Sequence, residues 1–597
     1  MLKSHSCGEL SKDNIGIGVT LAGWVHRRRD HGGLIFIDLR DNEGIVQVVF
    51  NPEKSKEHHE VASQIRSEYV IRLSGKVALR PLGTENHKLA TGEVEVVADS
   101  IRILNSSKTP PFYINEETEV DENLRLKYRY LDLRRARMKE NLHLRHRLVK
   151  FMRDFLDLKG FMEVETPILI KSTPEGARDY LVPSRIHAGK FYALPQSPQQ
   201  LKQLFMVAGI EKYYQIARCF RDEDTRADRQ PEFTQLDLEM SFVEEEDIIN
   251  LLEELFTSMV ETIKPEMRLN KPFPRFTYAR AMARYGTDKP DLRFGMEIED
   301  LSDIASQSSF AIFSSTTSQG GKVKGICAPG CGGYSRHQLN ELNELAKGLG
   351  AGGLVTISLG TSSGDIGGLT MEKVKSVAAK FLTVDQIKEM ARCLSASMGD
   401  LLLIIAGENN MVERVLGELR RQMGQRLGMA APDTLAFAFI VDFPLLAWNK
   451  DNGHWQPMHH PFTAPRDEDV PLLDTAPETA YGRHYDMVLN GCEIAGGSIR
   501  IHTSNLQRKV FKLLGYGLKE TTQLFGHMLE AFDYGAPPHG GVAAGIDRIL
   551  MLLAGEETIR EVIPFPKTQN AVDLLFDAPS PVTEEQLGDL HLCLREK

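Results

Sequence analysis

The sequence CFRDEDTRADRQPEFTQLDLEMSF, residues 219–242, joins a dense run of charges to a strand-like pattern. Seven of the nine residues from Arg221 to Arg229 are charged, and alternating apolar residues follow them. The apolar run YYQIA, residues 213–217, precedes this stretch, so the pattern predicts two strands joined by a charged loop. Arginines on such a rigid hairpin can bind an anion by paired hydrogen bonds, although a solvated loop is the ordinary alternative.

The segment GGVAAGIDRILMLLAG, residues 540–555, predicts a buried helix that begins after Gly545. Arg548 would lie in the first turn of that helix. The helix dipole disfavours a cation at this end, so an anionic ligand nearby would explain the arginine.

Two further segments carry groups that suit a ligand site. In YDMVLNGCEIAGGSIR, residues 485–500, Asp486 and Glu493 flank a short turn and could coordinate magnesium, and Arg500 follows a Gly-Gly pair. In MHHPFTAP, residues 458–465, His459 and His460 lack the spacing of a zinc motif. Two acidic residues this far apart are more often surface charges, and that alternative stays open.

The first hundred residues predict a small β-barrel. Five strand-like segments separated by turns lie between Ile15 and about Leu104, as in oligonucleotide-binding barrels. Strand alternation directs Phe36 and Gln47 outward, near the basic turn that ends at Arg29. A ring, an amide and arginines together suit single-stranded nucleic acid. Equally, Phe36 could pack beneath a loop while the arginines are merely solvated.

Composition narrows the class of protein. The 597 residues predict several domains, and 42% hydrophobic with 26% charged residues is typical of globular proteins. The net charge of −11 requires any nucleic-acid contact to use local basic patches. Seven scattered cysteines, no apolar run near the roughly 18 residues of a membrane span and no signal peptide predict a cytoplasmic protein without a membrane partner.

Taken together, these segments resemble the class II aminoacyl-tRNA synthetases, in particular their bacterial aspartate branch. GFMEVETPIL, residues 160–169, is similar to the first family motif, FRDED with RQPEFTQLDLE to the second, and GIDRILMLL to the third. TPEGARDYLVPSR and ALPQSPQQLKQ extend the similarity, which covers nearly the whole chain. The resemblance implies an α+β multidomain homodimer with the first motif at its interface.

The resemblance also implies a domain order. It comprises an N-terminal OB-fold β-barrel that binds the anticodon, an antiparallel-sheet catalytic domain with helices, and an inserted α/β domain. The expected boundaries are 1–104 for the barrel, 105–135 for a hinge, 136–288 and 431–560 for the catalytic domain, 289–430 for the insertion and 561–597 for a C-terminal extension.

The implied reaction is activation of L-aspartate by ATP with Mg²⁺, followed by transfer to tRNA-Asp. By family resemblance, Arg221 and Arg548 are the catalytic residues, on the α- and γ-phosphates, and Asp486 and Glu493 hold Mg²⁺. The other implied ATP contacts are Asp222, Glu223, Arg229, Gln230, Phe233, Gly545, Ile546 and Asp547, together with Glu493. The implied aspartate contacts are Glu175, Ser197, Gln199, Lys202, Asp237, His459 and Arg500, together with Arg221.

Substrate identity depends on a few of these positions. Lys202 favours aspartate over asparagine, because a second buried cation facing a neutral amide would lack a partner. Arg29, Phe36 and Gln47 match the family's anticodon contacts, and at His31 and Gly83 the chain resembles family members that charge tRNA-Asn as well as tRNA-Asp.

Several alternatives remain open at this point. One is an enzyme strictly specific for tRNA-Asp. Others are a tRNA-independent relative that forms the same adenylate and a non-catalytic RNA-binding paralogue. Asp224, Arg226 and Asp228 receive no role beyond orienting the arginines or meeting the tRNA acceptor end.

Overall fold

The computed structural model describes residues 1–173, 176–450 and 453–595, which divide into two compact units. The first unit consists of Met1–Glu140 with two short C-terminal pieces, Pro564–Thr568 and Val572–Pro579. The second is built mainly from Asn141–Ile563. The expected hinge therefore falls inside the first unit, and the expected insertion inside the second. Among the described helices, none combines the length with the apolar composition that a membrane span requires.

The first unit contains the predicted closed barrel. Its strands are Gly18–His31, Leu34–Arg40, Ile45–Phe50, Val70–Leu79 and Val94–Asn105. Neighbouring strands are antiparallel except the third and fifth, which are parallel. Ile35, Ile37 and Leu39 are fully buried in its interior, as the alternation along the second strand predicts. Helix Lys56–Gln64, capped by Ser55, connects the third and fourth strands.

The second unit is organised around an eight-stranded, mostly antiparallel sheet, which confirms the predicted catalytic fold. Only the two outermost pairs of strands are parallel. In spatial order the strands are Arg275–Thr277, Phe437–Val441, His484–Leu489, Cys492–Ile499, His539–Gly545, Glu232–Ser241, Lys212–Phe220 and Met162–Glu163.

Three neighbouring parts of this sheet are a charged hairpin, a carboxylate hairpin and a glycine strand. The charged hairpin is the strand pair Lys212–Phe220 and Glu232–Ser241 with its loop, residues 221–231. The carboxylate hairpin is His484–Leu489 with Cys492–Ile499. The glycine strand is His539–Gly545, which lies between the two hairpins.

GFMEVETPIL, residues 160–169, has the composition of a strand, and Pro167 predicts an edge or interface position for it, but the first motif forms less strand than this predicts. Of GFMEVETPIL, only Met162–Glu163 pairs with the sheet, at its edge beside Tyr213 and Tyr214. Pairing ends at Glu163, apart from one hydrogen bond that the Val164 N–H donates to the Tyr214 carbonyl oxygen at 3.1 Å, and Pro167, which has no N–H to donate, keeps the end of the motif from extending it. The edge position itself agrees with the prediction.

Helices cover the sheet and supply most of its core. Glu245–Ile263 buries Ile248, Leu252, Leu255 and Met259, which follow one another at intervals of three and four residues along a single helical face. Each such side chain contributes about 1.5–3 kcal/mol when fully buried. The other main helices of this layer are Ala136–Leu158, Gln199–Val207, Ser504–Leu513, Leu518–Asp533 and Ile546–Ala554.

The expected insertion combines helices and strands, but its sheet is entirely antiparallel, so the arrangement is α+β and not the expected α/β. Its antiparallel sheet has the order Glu299–Asp300, Lys322–Ala328, Leu401–Gly407 and Val355–Ser358. Both faces are buried, because Leu402 and Ile404 join one apolar core while Leu403 and Ile405 join another. The surrounding helices are Ser302–Ser306, Ala311–Ser318, Arg336–Gly348, Val384–Cys393 and Asn409–Arg426.

Gly541 is required by close packing in the glycine strand. A Cβ at this position would lie 2.0 Å from Oε2 of Glu239 and 2.2 Å from the carbonyl oxygen of Leu238. We expect Gly541→Ala to lower the free energy of unfolding by about 1–3 kcal/mol, the usual range for overpacking. Thermal unfolding measures this effect. Gly348→Ala is the control, since nothing lies within 4 Å of its added Cβ, and equal midpoints for the two variants would contradict the prediction.

Candidate active site

Four charged side chains form a buried network beside the glycine strand. Lys202 is fully buried, and its Nζ lies 3.0 Å from Oδ1 of Asp237 and 3.4 Å from Oε2 of Glu239. Arg500 donates to the two oxygens of Glu239, from Nε at 3.0 Å and from Nη2 at 3.3 Å. This paired geometry fixes the plane of the guanidinium. The structure thus brings together Lys202, Asp237 and Arg500, and adds Glu239, which the sequence did not single out.

The ionisation of this network follows from burial and pairing. Burial raises the pKa of Asp237. Burial also acts to raise the pKa of Glu239, but Arg500 and Lys202 outweigh it and hold this pKa below its usual value. Loss of either cation would leave a buried carboxylate poorly compensated.

Among the polar atoms near this network that have no hydrogen-bond partner in the described residues, two belong to residues predicted to contact aspartate. They are Oδ2 of Asp237 and Nε2 of Gln199, both buried. Buried polar atoms are almost always satisfied, so these two are candidate ligand contacts. The carboxylate oxygen can accept from an ammonium, and the amide nitrogen can donate to an oxygen. Ser197 lies next to them, with its Oγ accepting from the Gln199 N–H at 3.3 Å.

The charged hairpin has the predicted strand–loop–strand form. Its two strands are antiparallel, with Lys212 opposite Met240 at one end and Phe220 opposite Glu232 at the end next to the loop. Within it, the Arg221 guanidinium lies 5.1 Å from the centre of the Phe233 ring. The loop borders a cavity of about 320 Å³, lined by Gly176, Ala177, Arg178, Asp222, Glu223, Asp224, Arg226 and Arg229. The strands therefore place the loop's charges around a space large enough for part of a ligand.

Individual contacts organise the loop around this cavity. Nη1 of Arg229 lies 3.4 Å from Oε2 of Glu223. Arg226 and Arg229 exchange backbone hydrogen bonds, which narrow the tip of the loop. Nε of Arg221 is buried without a partner among the described residues, and Gln230 is only 5% exposed. Arg221 therefore has a donor available for an anionic ligand.

Arg548 is held in place from two directions. Its helix begins at Ile546, as predicted, so Arg548 lies in the first turn. Nη2 is 3.1 Å from Oδ2 of Asp228, and Nη1 donates to the backbone carbonyl of Glu493 at 3.0 Å. Asp228 therefore orients Arg548, which is one of the two roles that sequence analysis left open for this residue.

The residues flanking Arg548 fix its helix. Gly545 is the N-cap, and Ile546 is fully buried. Asp547 pairs with Arg145 through one oxygen and accepts from the backbone N–H of Thr234 at 2.8 Å through the other. Its carboxylate thus connects the helix to the charged hairpin, with both oxygens already engaged by protein groups.

Asp486 and Glu493 converge within the carboxylate hairpin. A Cβ on Gly496 would lie 2.9 Å from Oδ1 of Asp486 and 3.8 Å from Oε1 of Glu493. The absence of a side chain at Gly496 therefore leaves a space that both carboxylates face. Such oxygens are the ligands that Mg²⁺ prefers, so these residues fit the cation implied by the resemblance.

Lys289 is a contact that the sequence did not reveal. Its Nζ lies 2.8 Å from Oε2 of Glu493. Burial acts to lower the pKa of Lys289, but Glu493 outweighs it and the pKa lies above its usual value. Burial acts to raise the pKa of Glu493, and Lys289 reverses that shift. The two residues are far apart in the chain, so no local pattern marks their pairing.

Two histidines stand beside the carboxylates. Among the described residues, His459, His484 and Asp486 have potential metal-ligand atoms within 4.8 Å of one another. The imidazole rings stack 4.0 Å apart at an interplanar angle of 14°, and Nε2 of His484 contacts Oδ1 of Asp486 at 2.7 Å. Stacked rings cannot both direct an in-plane lone pair at one ion. The geometry therefore favours His484 as a hydrogen-bond partner of Asp486.

The outer face of the barrel carries a polar cluster. Phe36 lies opposite Arg29 across the first two strands and is half-buried, outside the barrel core. Gln47 also points away from the core but is only 8% exposed, so it is more covered than its outward direction suggested. Nη2 of Arg29 lies 2.8 Å from Asp38 and 3.2 Å from Gln47, whose amide donates to Glu95 at 2.8 Å.

Arg80 and Glu95 extend this cluster beyond the residues found from sequence. Burial raises the pKa of Glu95 and of Asp38. Nη2 of Arg80 is buried without a partner among the described residues. Donors and acceptors beside a half-buried ring are suited to base edges and base stacking.

Three predicted site residues remain, namely the tRNA-discriminating pair His31 and Gly83 and the aspartate contact Glu175. His31 ends the first barrel strand, exposed and opposite Leu34. Gly83 has a φ of +85° in the loop before the fifth strand. Glu175 lies outside the described residues.

Family comparison gives two matches that together cover most of the chain. A family model described as tRNA synthetases class II (D, K and N) matches residues 121–569. A second, described as an OB-fold nucleic acid binding domain of the tRNA anticodon type, matches residues 19–104.

Curated relatives match over the full length. The aspartate–tRNA(Asp/Asn) ligase of Dehalococcoides mccartyi strain 195 is 62% identical over 595 residues, covering 100% of this chain and 99% of the relative. The ligase of the same name from Moorella thermoacetica is 54% identical, covering 99% of this chain and 96% of the relative.

Solved structures share the fold at much lower identity. The asparaginyl-tRNA synthetase of Pyrococcus horikoshii, complexed with asparaginyl-adenylate, has a TM-score of 0.59 and 19% identity, covering 95% of this chain and 99% of that chain. The aspartyl-tRNA synthetase of Entamoeba histolytica has a TM-score of 0.56 and 20% identity, covering 95% of this chain and 91% of that chain.

Proposed function

Because this chain belongs to the class II tRNA synthetases of the aspartate, lysine and asparagine group, we infer that it is an aspartate–tRNA ligase. It activates L-aspartate with ATP and transfers the aspartyl group to tRNA-Asp and to tRNA-Asn. The cytoplasm is the proposed location, in keeping with these substrates.

The buried network of Lys202, Glu239 and Arg500 is the main observation in support of aspartate as the amino-acid substrate. Two cations that meet at one buried carboxylate can also face the side-chain carboxylate of aspartate. The unpaired Oδ2 of Asp237 is the acceptor for the substrate ammonium. Asparagine would leave the second cation facing a neutral amide, which is unfavourable in a buried site.

The first step needs positioning more than proton transfer. The substrate α-carboxylate is ionised at pH 7, so it attacks the α-phosphorus of ATP directly. A carboxylate oxygen bonds to phosphorus as the bond to the β-phosphate oxygen breaks, and pyrophosphate leaves. Arg221 bridges the carboxylate and the α-phosphate, and Arg548 holds the γ-phosphate. Both act by stabilising charge at fixed positions.

The neighbouring residues complete the nucleotide site. Phe233 and Gln230 contact the nucleoside, and Glu223 and Arg229, which pair with each other, line the cavity. Asp486 and Glu493 would hold Mg²⁺, which when bound neutralises phosphate charge. His459 closes the site over the substrate, and Glu175 is assigned to the substrate from the family resemblance alone.

In the second step, the terminal ribose hydroxyl of the tRNA attacks the adenylate carbonyl and AMP leaves. Arg29, Phe36 and Gln47 contact the anticodon on the barrel. His31 and Gly83 lie at the turns of the same barrel and permit the tRNA-Asn anticodon. Supporting this dual use, the curated relatives at 52–62% identity carry the name aspartate–tRNA(Asp/Asn) ligase.

Aspartate-dependent exchange of labelled pyrophosphate into ATP, without tRNA, tests the activation step. We expect exchange with aspartate and at least about 100-fold less with asparagine, since a buried unpaired charge costs several kcal/mol. Absence of exchange would leave a non-catalytic RNA-binding protein as the better description.

Aspartylation of purified tRNA-Asp and tRNA-Asn transcripts tests the range of acceptors. We expect rates within about tenfold of each other, because one barrel face must accept two anticodons that differ at one base. A contact that reads this base specifically would be worth about 1–3 kcal/mol and would separate the rates by up to about 150-fold. A rate on tRNA-Asn lower by several orders of magnitude would establish strict tRNA-Asp specificity. Exchange without any tRNA charging would indicate a tRNA-independent adenylate-forming enzyme.

A homodimer is the proposed assembly. Exposed apolar side chains lie in and next to the first motif, namely Leu158, Met162, Ile168 and Leu169. Apolar side chains grouped in this way indicate an interaction surface. Sedimentation of the full-length chain measures its oligomeric state.

A further inference from the structure

Lys289 lies outside the charged hairpin but pairs with Glu493, one of the two candidate Mg²⁺ ligands. Its ammonium lies 2.8 Å from Oε2 of Glu493, while the other oxygen of the same carboxylate faces the space at Gly496 shared with Asp486. One carboxylate therefore contacts a protein cation on one side and the candidate Mg²⁺ position on the other.

Arg548 approaches the same residue from another direction. Its Nη1 donates to the backbone carbonyl of Glu493, and its Nη2 pairs with Asp228. Lys289 and Arg548 thus flank Glu493, one at the side chain and one at the main chain. A triphosphate held by Arg548 would bring several negative charges into the region that both cations border.

We propose that the Lys289 ammonium takes the place of the metal cation before ATP binds. It neutralises Glu493 until the metal–ATP complex arrives, and then forms its ion pair with the triphosphate instead. The proposal rests on the proposed function, since it takes ATP as the ligand. Before ATP binds, the Lys289 ammonium repels a divalent cation from the pair of carboxylates. After ATP binds, the phosphates attract the ammonium and Glu493 becomes available to the metal. Lys289 thereby favours entry of metal and nucleotide together over binding of bare metal.

Direct binding measurements on the full-length protein test this arrangement. Mn²⁺ is the probe for the metal, followed by electron paramagnetic resonance without nucleotide. A non-hydrolysable α,β-methylene analogue of ATP at saturating Mg²⁺ is the probe for the nucleotide, followed by calorimetry. We expect Lys289→Met to bind bare Mn²⁺ about tenfold more tightly and the analogue about tenfold more weakly, the scale of one charge interaction at a partly exposed site.

Two variants control for charge and shape. Lys289→Arg keeps the positive charge and is expected to stay within about twofold of the unmodified protein in both assays. Lys322→Met removes a comparably exposed lysine that pairs with Asp300, and it is expected to change neither affinity.

Unchanged or weaker binding of bare Mn²⁺ by Lys289→Met would overturn the proposal, because a purely orienting lysine would help the metal and not repel it. Unchanged binding of the ATP analogue by Lys289→Met would equally overturn it, because the Lys289 ammonium would then not interact with the triphosphate. Neither measurement requires aspartylation. If the unmodified protein bound metal and nucleotide but failed to exchange pyrophosphate with aspartate, the proposed function would fail while this proposal stood.

Discussion

Arg548→Lys is expected to lower aspartate-dependent pyrophosphate exchange by about 100-fold to 1000-fold, the usual cost of losing a fixed donor at a developing charge. The guanidinium contacts Asp228 and the carbonyl of Glu493 with separate nitrogens. A lysine has one ammonium and cannot make both contacts while also reaching a phosphate. Steady-state exchange as a function of ATP concentration measures the loss.

The fold of this variant should survive, because the positive charge at the partly exposed position is retained. Its thermal midpoint is therefore expected to stay within a few degrees of the unmodified protein. Arg421→Lys is the matched control, since Arg421 pairs with Glu418 on the surface of another helix. Exchange kinetics for Arg548→Lys equal to those of this control would remove Arg548 from the catalytic role.

Lys202→Met is expected to weaken the use of aspartate by at least about 100-fold in kcat/KM and to destabilise the fold. Lys202 is fully buried and contacts Asp237 and Glu239. Removing one partner of a buried ionic network costs about 3–5 kcal/mol, because the remaining charges lose their compensation. Exchange kinetics at varied aspartate concentration and thermal unfolding measure the two effects separately.

Loss of the fold alone could imitate loss of recognition, so a second variant is needed. Glu239→Gln preserves shape but releases Arg500 from its charged partner, and it is expected to raise KM for aspartate more than it lowers kcat. Lys347→Met, on the surface beside Glu344, controls for the substitution itself. A folded Lys202→Met variant with an unchanged KM for aspartate would show that Lys202 does not select the substrate.

Local patterns predicted the elements that carry the site. The alternation after Gln230 predicted the second strand of the charged hairpin, and Gly545 predicted where the Arg548 helix begins. The same reasoning failed in part for the first motif, where only Met162–Glu163 forms a strand, because pairing depends on a neighbour and not on local preference alone. Strand alternation also predicted a more exposed Gln47 than the structure shows. Arg29 and Glu95, which cover its side chain, belong to other strands, so the local pattern does not include them.

The sequence by itself determined the barrel, the charged hairpin, the helix that bears Arg548 and the family resemblance that names the substrates. Only the tertiary structure decided which charges meet: Glu239 between Lys202 and Arg500, Asp228 on Arg548, and Lys289 on Glu493. The physical reason is that periodicity specifies which face of an element is buried, and it contains no record of the partner across the sheet. Ion pairs between distant segments are set when neighbouring strands and helices pack, and the chemistry of this site depends on those pairs.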